Sequence, residues 1–431
     1  MADLVQTYLD QIRDEHADCT EGALADYIPE LAAVDPAGFG LALSSSDGYV
    51  YESGDTAVEF TIQSISKPLT YALALDQLGE RGVDDHIGVE PSGEAFNEIS
   101  VDSATKIPKN PMINAGAIAA VSLIPGTGGE RFDLIREFYS ACAGRQLEFD
   151  EQVYHSEKAT GFRNRAIAYM LESFGVLEGD PDEVLDVYFR QCSLLVNCTD
   201  LARMAATLAR GGMNPLTGRQ VTNHQVVQRT LSVMTTCGMY DAAGDWVSGV
   251  GMPAKSGVGG GITAVLPGQL GIGVYSPLLD PKGNSVRGVR VCRSLSQRLG
   301  LHFLTVSRES RSTIRAIYDV DDDIRVYEVH GDLLFAGAEQ VVRTVSRESG
   351  EFRAAILDVS RLDNVNDPAR ALLTGMSGQL RDAGKAGFLV DPDDAVIRTE
   401  RQYEIMRFTN IDDAITAAKE WVRTGTGSAP D

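Results

Sequence analysis

Gln63-Ser64-Ile65-Ser66-Lys67 lies where the period of the chain changes from extended to helical. Ahead of it, Val58 to Ile62 reads as an extended stretch leading straight into Ser64. Behind it, Ile65, Leu69, Ala72, Leu75 and Leu78 follow at spacings of three and four until Gly79, the signature of a helix. Leu73 and Ala74 make the other faces apolar as well, which predicts a helix buried in the core of its domain. Pro68 falls near the first turn, where a missing N–H costs least. Ser64 is thereby placed at a helix N-terminus. Residues three apart share a helix face, so the Ser64 hydroxyl and the Lys67 amine can meet, and a serine needs such a base to become nucleophilic. Lys67 can serve only when neutral, and burial with a neighbouring positive charge would lower its pKa toward working pH.

Taken alone, Ser-x-x-Lys is weak, because Ser103-Ala104-Thr105-Lys106 repeats it. That copy sits in a polar stretch with Pro108 and Pro111 behind it and reads as an exposed loop. The surroundings of Ser64 separate the two. Upstream, residues 1 to 36 read as largely helical, with Leu4, Tyr8 and Ile12 on one face, and Gly38 to Leu43 and Tyr49 to Glu52 read as a hairpin turning at Ser46-Asp47-Gly48. Downstream, helices are expected at Asn164 to Gly175, Pro181 to Leu195 and Thr199 to Ala209, the last capped by Thr199-Asp200 and closed by Gly211-Gly212. Between Pro253 and Ser276 strands and glycines return, opening with Lys255-Ser256-Gly257. This matches the Lys-Ser/Thr-Gly element that accompanies Ser-x-x-Lys in serine β-lactamases and penicillin-binding proteins, although a glycine-rich turn with an exposed lysine is an equal reading of the three residues alone.

The first architecture ends after Gly300. Residues 306 to 324, rich in charge (Arg308, Glu309, Arg311, Asp319, Asp321, Asp322, Asp323), read as a connecting segment. From Arg325 the order is strand (Arg325 to Val329), turn at Gly331-Asp332, helix (Ala338 to Arg347), strand (Arg353 to Val359), helix (Ala369 to Ala383), strand (Gly387 to Val390) and helix (Ile411 to Val422). Such alternation is a small α/β domain. The expected organisation is therefore a domain over 1–305, a linker over 306–324 and a second domain over 325–425.

Bulk properties narrow the function. With 431 residues, 43% of them hydrophobic and 23% charged, the chain has the apolar material for two globular domains and too little for a membrane protein. A formal net charge of -23 argues against nucleic acid and anionic lipid as partners, since both demand clustered Lys and Arg. The six cysteines form no Cys-x-x-Cys and the six histidines no metal-ligand spacing, so the metal route to amide or ester cleavage has no visible ligands. The start Met1-Ala2-Asp3-Leu4 lacks signal-peptide character and the apolar run Ala115 to Ile124 is too short to span a bilayer, so a cytoplasmic location is expected.

Several long motifs carry a resemblance to a known family. They are Asp26-Tyr27-Ile28-Pro29, Gln63-Ser64 with Ser66-Lys67-Pro68, Asn110 to Ile118, Ser156-Glu157 followed by Arg163-Asn164, Asp186 with Tyr188-Phe189, Cys237-Gly238-Met239-Tyr240-Asp241 and Pro253-Ala254-Lys255-Ser256-Gly257-Val258. From about Tyr27 to Leu301 the chain resembles the serine-dependent glutaminases, which share the fold of serine β-lactamases and penicillin-binding proteins. The resemblance implies an α+β domain, an antiparallel sheet plus a helical subdomain, that hydrolyses L-glutamine to L-glutamate and ammonia through a seryl acyl-enzyme, with no metal or organic cofactor. It implies Ser64 as nucleophile, Lys67 as base, and Tyr240, with Tyr188 as a further candidate, as proton relay. It also implies an oxyanion site on the backbone N–H groups of Ser64 and Val258, and substrate recognition by Tyr27, Gln63, Asn114, Glu157, Asn164, Tyr188 and Tyr240. A homodimer or homotetramer is expected on the same ground.

Each position also has a plain structural reading. Asn114 reads as a buried helix cap, Glu157 as a surface charge, Asn164 as a helix cap, and Tyr27, Tyr188 and Tyr240 as core aromatics with a wet hydroxyl. Lys255 reads either as a pocket residue or as electrostatic support for a neutral Lys67. The C-terminal region, about Arg325 to Val422, resembles a STAS domain, which implies a partner-binding or regulatory module. Asp363-Asn364-Val365-Asn366-Asp367-Pro368 supplies no hydroxyl at the helix start where antagonists of that kind carry a phosphorylatable serine, and Ser360 belongs to the strand end. Two other classes fit the motifs less well: another Ser-x-x-Lys acyl-transfer hydrolase of β-lactamase or peptidase type, and a non-enzymatic binding protein centred on the STAS-like region.

Overall fold

The computed structural model describes residues 4–92, 101–305, 313–397 and 406–425. The chain divides into two compact units, one spanning Leu9–Ser296 and the other taking Gln297 onward together with the first residues up to Tyr8.

The chain opens with helix α1 (Leu4–Ala17) and a single turn, α2 (Pro29–Ala32). The stretch between them, expected to be helical, is not. There the backbone turns at Gly22 (φ 102) and Ala23 N–H donates to Leu279 O, so a tertiary bridge replaces local helix bonds. The hairpin forms as expected from β1 (Gly40–Ser45) and β2 (Val50–Gly54). The expected extended run narrows to a two-residue strand, β3 (Phe60–Thr61), paired with β4 (Leu195–Val196). A 3-10 turn, Gln63–Ser66, then feeds α3 (Lys67–Asp84), with Pro68 in its first turn. Gly79 breaks α3 with non-helical angles, after which the helix resumes.

A helical layer follows: α4 (Asn114–Ser122), α5 (Gly128–Ala143), α6 (Glu151–Thr160), α7 (Phe162–Ser173), α8 (Pro181–Cys192), α9 (Cys198–Ala209), α10 (His224–Cys237) and α11 (Ala243–Gly249). The first half of α3 and all of α4 are buried, as their all-round apolar pattern requires. The cap of α9 is Asn197 rather than Thr199: its side chain accepts from Asp200 N–H while Asp200 accepts from Asn197 N–H. Strands β5 (Ala254–Ser256), β6 (Gly261–Leu266) and β7 (Leu270–Tyr275) complete an antiparallel sheet in the order β2-β1-β7-β6-β5, and α12 (Val286–Leu299) follows. Helix α9 lies directly on β7. A Cβ on Gly273 would stand 2.1 Å from Cys198 O, so only glycine permits that approach.

The second unit holds a mixed five-stranded sheet, order β12-β11-β10-β9-β8. Its elements are β8 (Ile314–Asp321), β9 (Ile324–Leu333), α13 (Phe335–Glu348), β10 (Ala354–Val365), α14 (Asp367–Asp382), β11 (Ala386–Val390), β12 (Met406–Phe408) and α15 (Ile411–Thr424). Strands β9 to β12 are parallel and β8 is antiparallel to β9. The expected linker is thus corrected: Ile314–Asp321 is an edge strand, and its charges pair across to β9, Asp319 with Arg325 at 2.7 Å and Arg315 with Glu328 at 3.1 Å. Residues 306–312 of that expected linker lie outside the described residues. Gly331-Asp332 is not a turn but lies within β9, where the Asp332 side chain accepts from Asn364 of β10 at 2.7 Å. Asn366 caps α14, accepting from Ala369 N–H, so no hydroxyl stands at that helix start.

Candidate active site

The 3-10 turn decides where the nucleophile candidate sits. Lys67 N–H donates to Ser64 O, an i to i+3 bond, and in that geometry side chains three apart eclipse one another. The backbone enters the turn through Gln63 at φ 49, a left-handed conformation uncommon for a residue with a Cβ. Ser64 is 8% exposed and Lys67 wholly buried. Burial lowers the Lys67 pKa to about 7, since water no longer solvates its ammonium form.

Lys67 Nζ donates to Asn114 Oδ1 at 2.7 Å, and Asn114 Nδ2 donates to Asn164 Oδ1 at 2.9 Å. Neither asparagine is a helix cap, because the caps of α4 and α7 are Ile113 and Gly161. Tyr240 opens a short 3-10 turn after α10, again left-handed at φ 53. Its hydroxyl donates to Ser256 O at 3.5 Å, and burial raises its pKa against the opposing influence of Ser64, so the phenol stays protonated. Lys67 Nζ lies 5.8 Å and Lys255 Nζ 3.7 Å from the centre of the Tyr240 ring. Lys255 also donates to Ser256 O at 2.7 Å. Burial first, and then the charge of Lys67, push Lys255 well toward its neutral form. In this pair the repulsion is relieved at Lys255.

A second cluster forms around Glu157 on α6, which is buried rather than a surface charge. Its Oε1 accepts from Tyr27 OH at 2.7 Å and from Gln63 Nε2 at 3.1 Å. Burial raises the Glu157 pKa, and the bonds from Tyr27 and Gln63 oppose the rise by favouring the carboxylate. Tyr27 is 47% exposed as a residue, yet its hydroxyl end is withdrawn from water against Glu157, which holds it protonated. Gln63 therefore joins the two clusters: its backbone leads into Ser64 and its side chain reaches Glu157.

Tyr188, on α8, is buried, and burial first, then its electrostatic surroundings at Cys192 and Glu157, raise its pKa. Val258 sits in the turn between β5 and β6, where Gly260 N–H donates to Gly257 O, and its side chain packs beside Ile28, Leu31 and Val153. The repeat at Ser103 and Lys106 stands apart as an exposed turn, with Lys106 Nζ bonded back to Ser103 O at 2.7 Å.

Sequence patterns did not mark Cys192, although it lies in the electrostatic surroundings of Lys67, Tyr27, Tyr188 and Tyr240. Burial pushes its thiol up to about 12, so it is neutral there. Nor did they mark Thr70, Tyr139 and Gln191, which with Ser66 of the quoted motif form a buried polar group beneath the turn. The only sequence signal for these was their spacing, with Thr70 three beyond Lys67 and Gln191 three beyond Tyr188. Among the described residues no group of three or more His, Cys, Asp or Glu side chains is placed to hold a metal ion, and no helix is long and apolar enough to cross a membrane.

Comparison with known proteins gives matches over both units. The glutaminase family model matches residues 22–304, and the STAS domain model matches residues 315–418. Glutaminase 2 of Bradyrhizobium diazoefficiens is 46% identical over 97% of this chain and 71% of its own length. The crystal structure of Mglu matches with a TM-score of 0.71 at 42% identity, covering 91% of this chain and 99% of that one. A probable glutaminase from Bacillus subtilis, solved with 6-diazo-5-oxo-L-norleucine, matches with a TM-score of 0.64 at 33% identity over 70% of this chain and 98% of that one.

Proposed function

The chain belongs to the glutaminase family and hydrolyses the side-chain amide of L-glutamine, and we propose that it does so through a γ-glutamyl ester on Ser64. Neutral Lys67 takes the proton as Ser64 Oγ attacks the amide carbon. The carbonyl oxygen becomes an oxyanion held by the N–H groups of Ser64 and Val258. Tyr240 relays that proton from Lys67 to the departing nitrogen, which leaves Lys67 neutral again, the C–N bond breaks, and ammonia leaves. Water then attacks the ester with Lys67 again accepting the proton, the ester C–O bond breaks, and Lys67 returns that proton to Ser64 Oγ, releasing glutamate and restoring the Ser64 hydroxyl. Glu157 pairs with the substrate ammonium, while Tyr27, Gln63, Asn114, Asn164 and Tyr188 line the amino-acid end.

The observation that carries this mechanism is that Lys67, the first residue of α3, bonds through its N–H to Ser64 O at the end of the 3-10 turn and is wholly buried, which lowers its pKa to about 7. A serine nucleophile needs a base close by and substantially deprotonated near neutrality. Ser64→Ala should lower ammonia release at least about a thousandfold with the melting temperature unchanged. Substantial residual turnover would sink the seryl mechanism. For the C-terminal region, supported by its STAS match, we assign a partner-binding or regulatory role in a cytoplasmic homodimer or homotetramer.

A further inference from the structure

Beneath the Ser64 turn lies a polar network closed off from water. Ser66 Oγ donates to Gln63 O at 2.6 Å, and Gln191 Nε2 donates to Ser66 Oγ at 3.3 Å. Thr70 Oγ1 donates to Gln191 Oε1 at 2.7 Å and lies 2.6 Å from Tyr139 OH, which itself donates to Ser66 O at 2.7 Å. Ser66, Thr70, Tyr139 and Gln191 are each wholly buried, and they come from the turn, α3, α5 and α8.

Counting hydrogens fixes the direction of this chain. The single Ser66 hydrogen is spent on Gln63 O, so the amide nitrogen of Gln191 must face Ser66 and its oxygen must face Thr70. Thr70 in turn spends its one hydrogen on Gln191, so at the 2.6 Å contact with Tyr139 only the phenol can donate, and its single hydrogen is divided between Thr70 Oγ1 and Ser66 O. Donation therefore runs one way, from Thr70 through Gln191 and Ser66 to the Gln63 carbonyl. A row of bonds pointing the same way is cooperative, each link strengthening the next by roughly 10–30%.

The Gln63 carbonyl and the Ser64 N–H are opposite ends of one peptide group. A strong bond into the carbonyl draws electron density toward oxygen and makes the N–H a better donor. We infer that Thr70, Gln191 and Ser66 form a polarising relay that strengthens and aims the Ser64 N–H at the tetrahedral oxyanion. This rests on the proposed oxyanion role of that N–H. The three are positioning residues, since they act on the reaction through the Gln63–Ser64 peptide. The same bond to Gln63 O also holds Gln63 in its left-handed conformation, which a residue with a Cβ keeps only when its surroundings over-determine it.

The relay predicts a loss confined to the transition state. Removing an oxyanion donor outright costs about 100- to 1000-fold in kcat, so weakening one should cost about 3- to 10-fold. Thr70→Val in the full chain removes the first donor while keeping the side chain's shape, and Thr70→Ser keeps the donor. The expected result is a kcat drop of about 3- to 10-fold in Thr70→Val, with KM for glutamine and inhibition by glutamate within about twofold of the parent, and recovery in Thr70→Ser. With serine amides labelled by 15N, the Ser64 N–H proton resonance should move upfield in Thr70→Val alone. Ser66→Ala, which deletes one oxygen, is read by the same criteria should Thr70→Val fold poorly. Equal kcat in the two Thr70 variants, or parallel changes in kcat, KM and glutamate inhibition, would overturn the relay. Turnover persisting in Ser64→Ala would instead overturn the seryl reading on which it stands.

Discussion

At pH 7 about half of the Lys67 amines are neutral, because the pKa is lowered to about 7 by burial alone. Only the neutral amine can accept the Ser64 proton. The sign follows directly: kcat/KM for glutamine should be flat above about pH 8 and fall about tenfold per pH unit below about pH 6. A pH–rate profile of the free enzyme checks this, and a flat profile down to pH 5 would remove Lys67 as the base. Much of this scale was legible in the sequence, since Ser64, Lys67, Tyr240 and Glu157 stand in extended motifs. Their partners were not. Thr70 and Gln191 look like ordinary residues of apolar helices, and only packing three helices against the turn reveals that their polar groups face one another. Lys255 was legible as a motif, while its place over the Tyr240 ring depends on a strand and a turn meeting in space.

Elements hold these residues at fixed separations, and the junction of α10 with β5 shows how closely. Gly238 follows the last turn of α10 at an ordinary φ of -67, so its lack of a side chain serves space rather than backbone freedom. A Cβ there would stand 1.8 Å from Ala254 O and 2.6 Å from Met234 O. Gly238→Ala must therefore push the helix end off β5, separating Tyr240 from Lys255. The expected outcome is a kcat loss of about 10- to 100-fold with a stability loss of about 1–3 kcal/mol, read from ammonia release and chemical unfolding. At this scale the hairpin β1–β2, helix α3 and the glycine-rich strands followed from local periodicity and turn chemistry. Strand β8 did not, because its inward Ile314, Ala316 and Val320 are obscured by the charges that an edge strand needs at the solvent. The cap of α9 was misplaced by two residues, since Asn197 and Thr199 are both good caps and only the bond to Asp200 distinguishes them.

Across the whole molecule, every residue proposed for catalysis or recognition falls within the unit Leu9–Ser296. The Bacillus subtilis structure, 98% of which is matched by 70% of this chain, shows such a region standing without a second unit. A chain ending at residue 305 should therefore hydrolyse glutamine with kcat and KM within about threefold of the full chain, as measured by ammonia release. Loss of turnover in a folded truncate would make the STAS unit part of catalysis. By itself the sequence determined the family, the residues proposed as nucleophile and base, the order of the two architectures and the composition of each core, because periodicity, turn residues and long motifs are written locally along the chain. Only the tertiary structure decided that Asn114 and Glu157 face inward as partners of Lys67 and Gln63, and that a one-way row of hydrogen bonds ends on the Gln63–Ser64 peptide. Burial, pKa and hydrogen-bond direction arise from groups distant in sequence being brought together, and no local pattern records them.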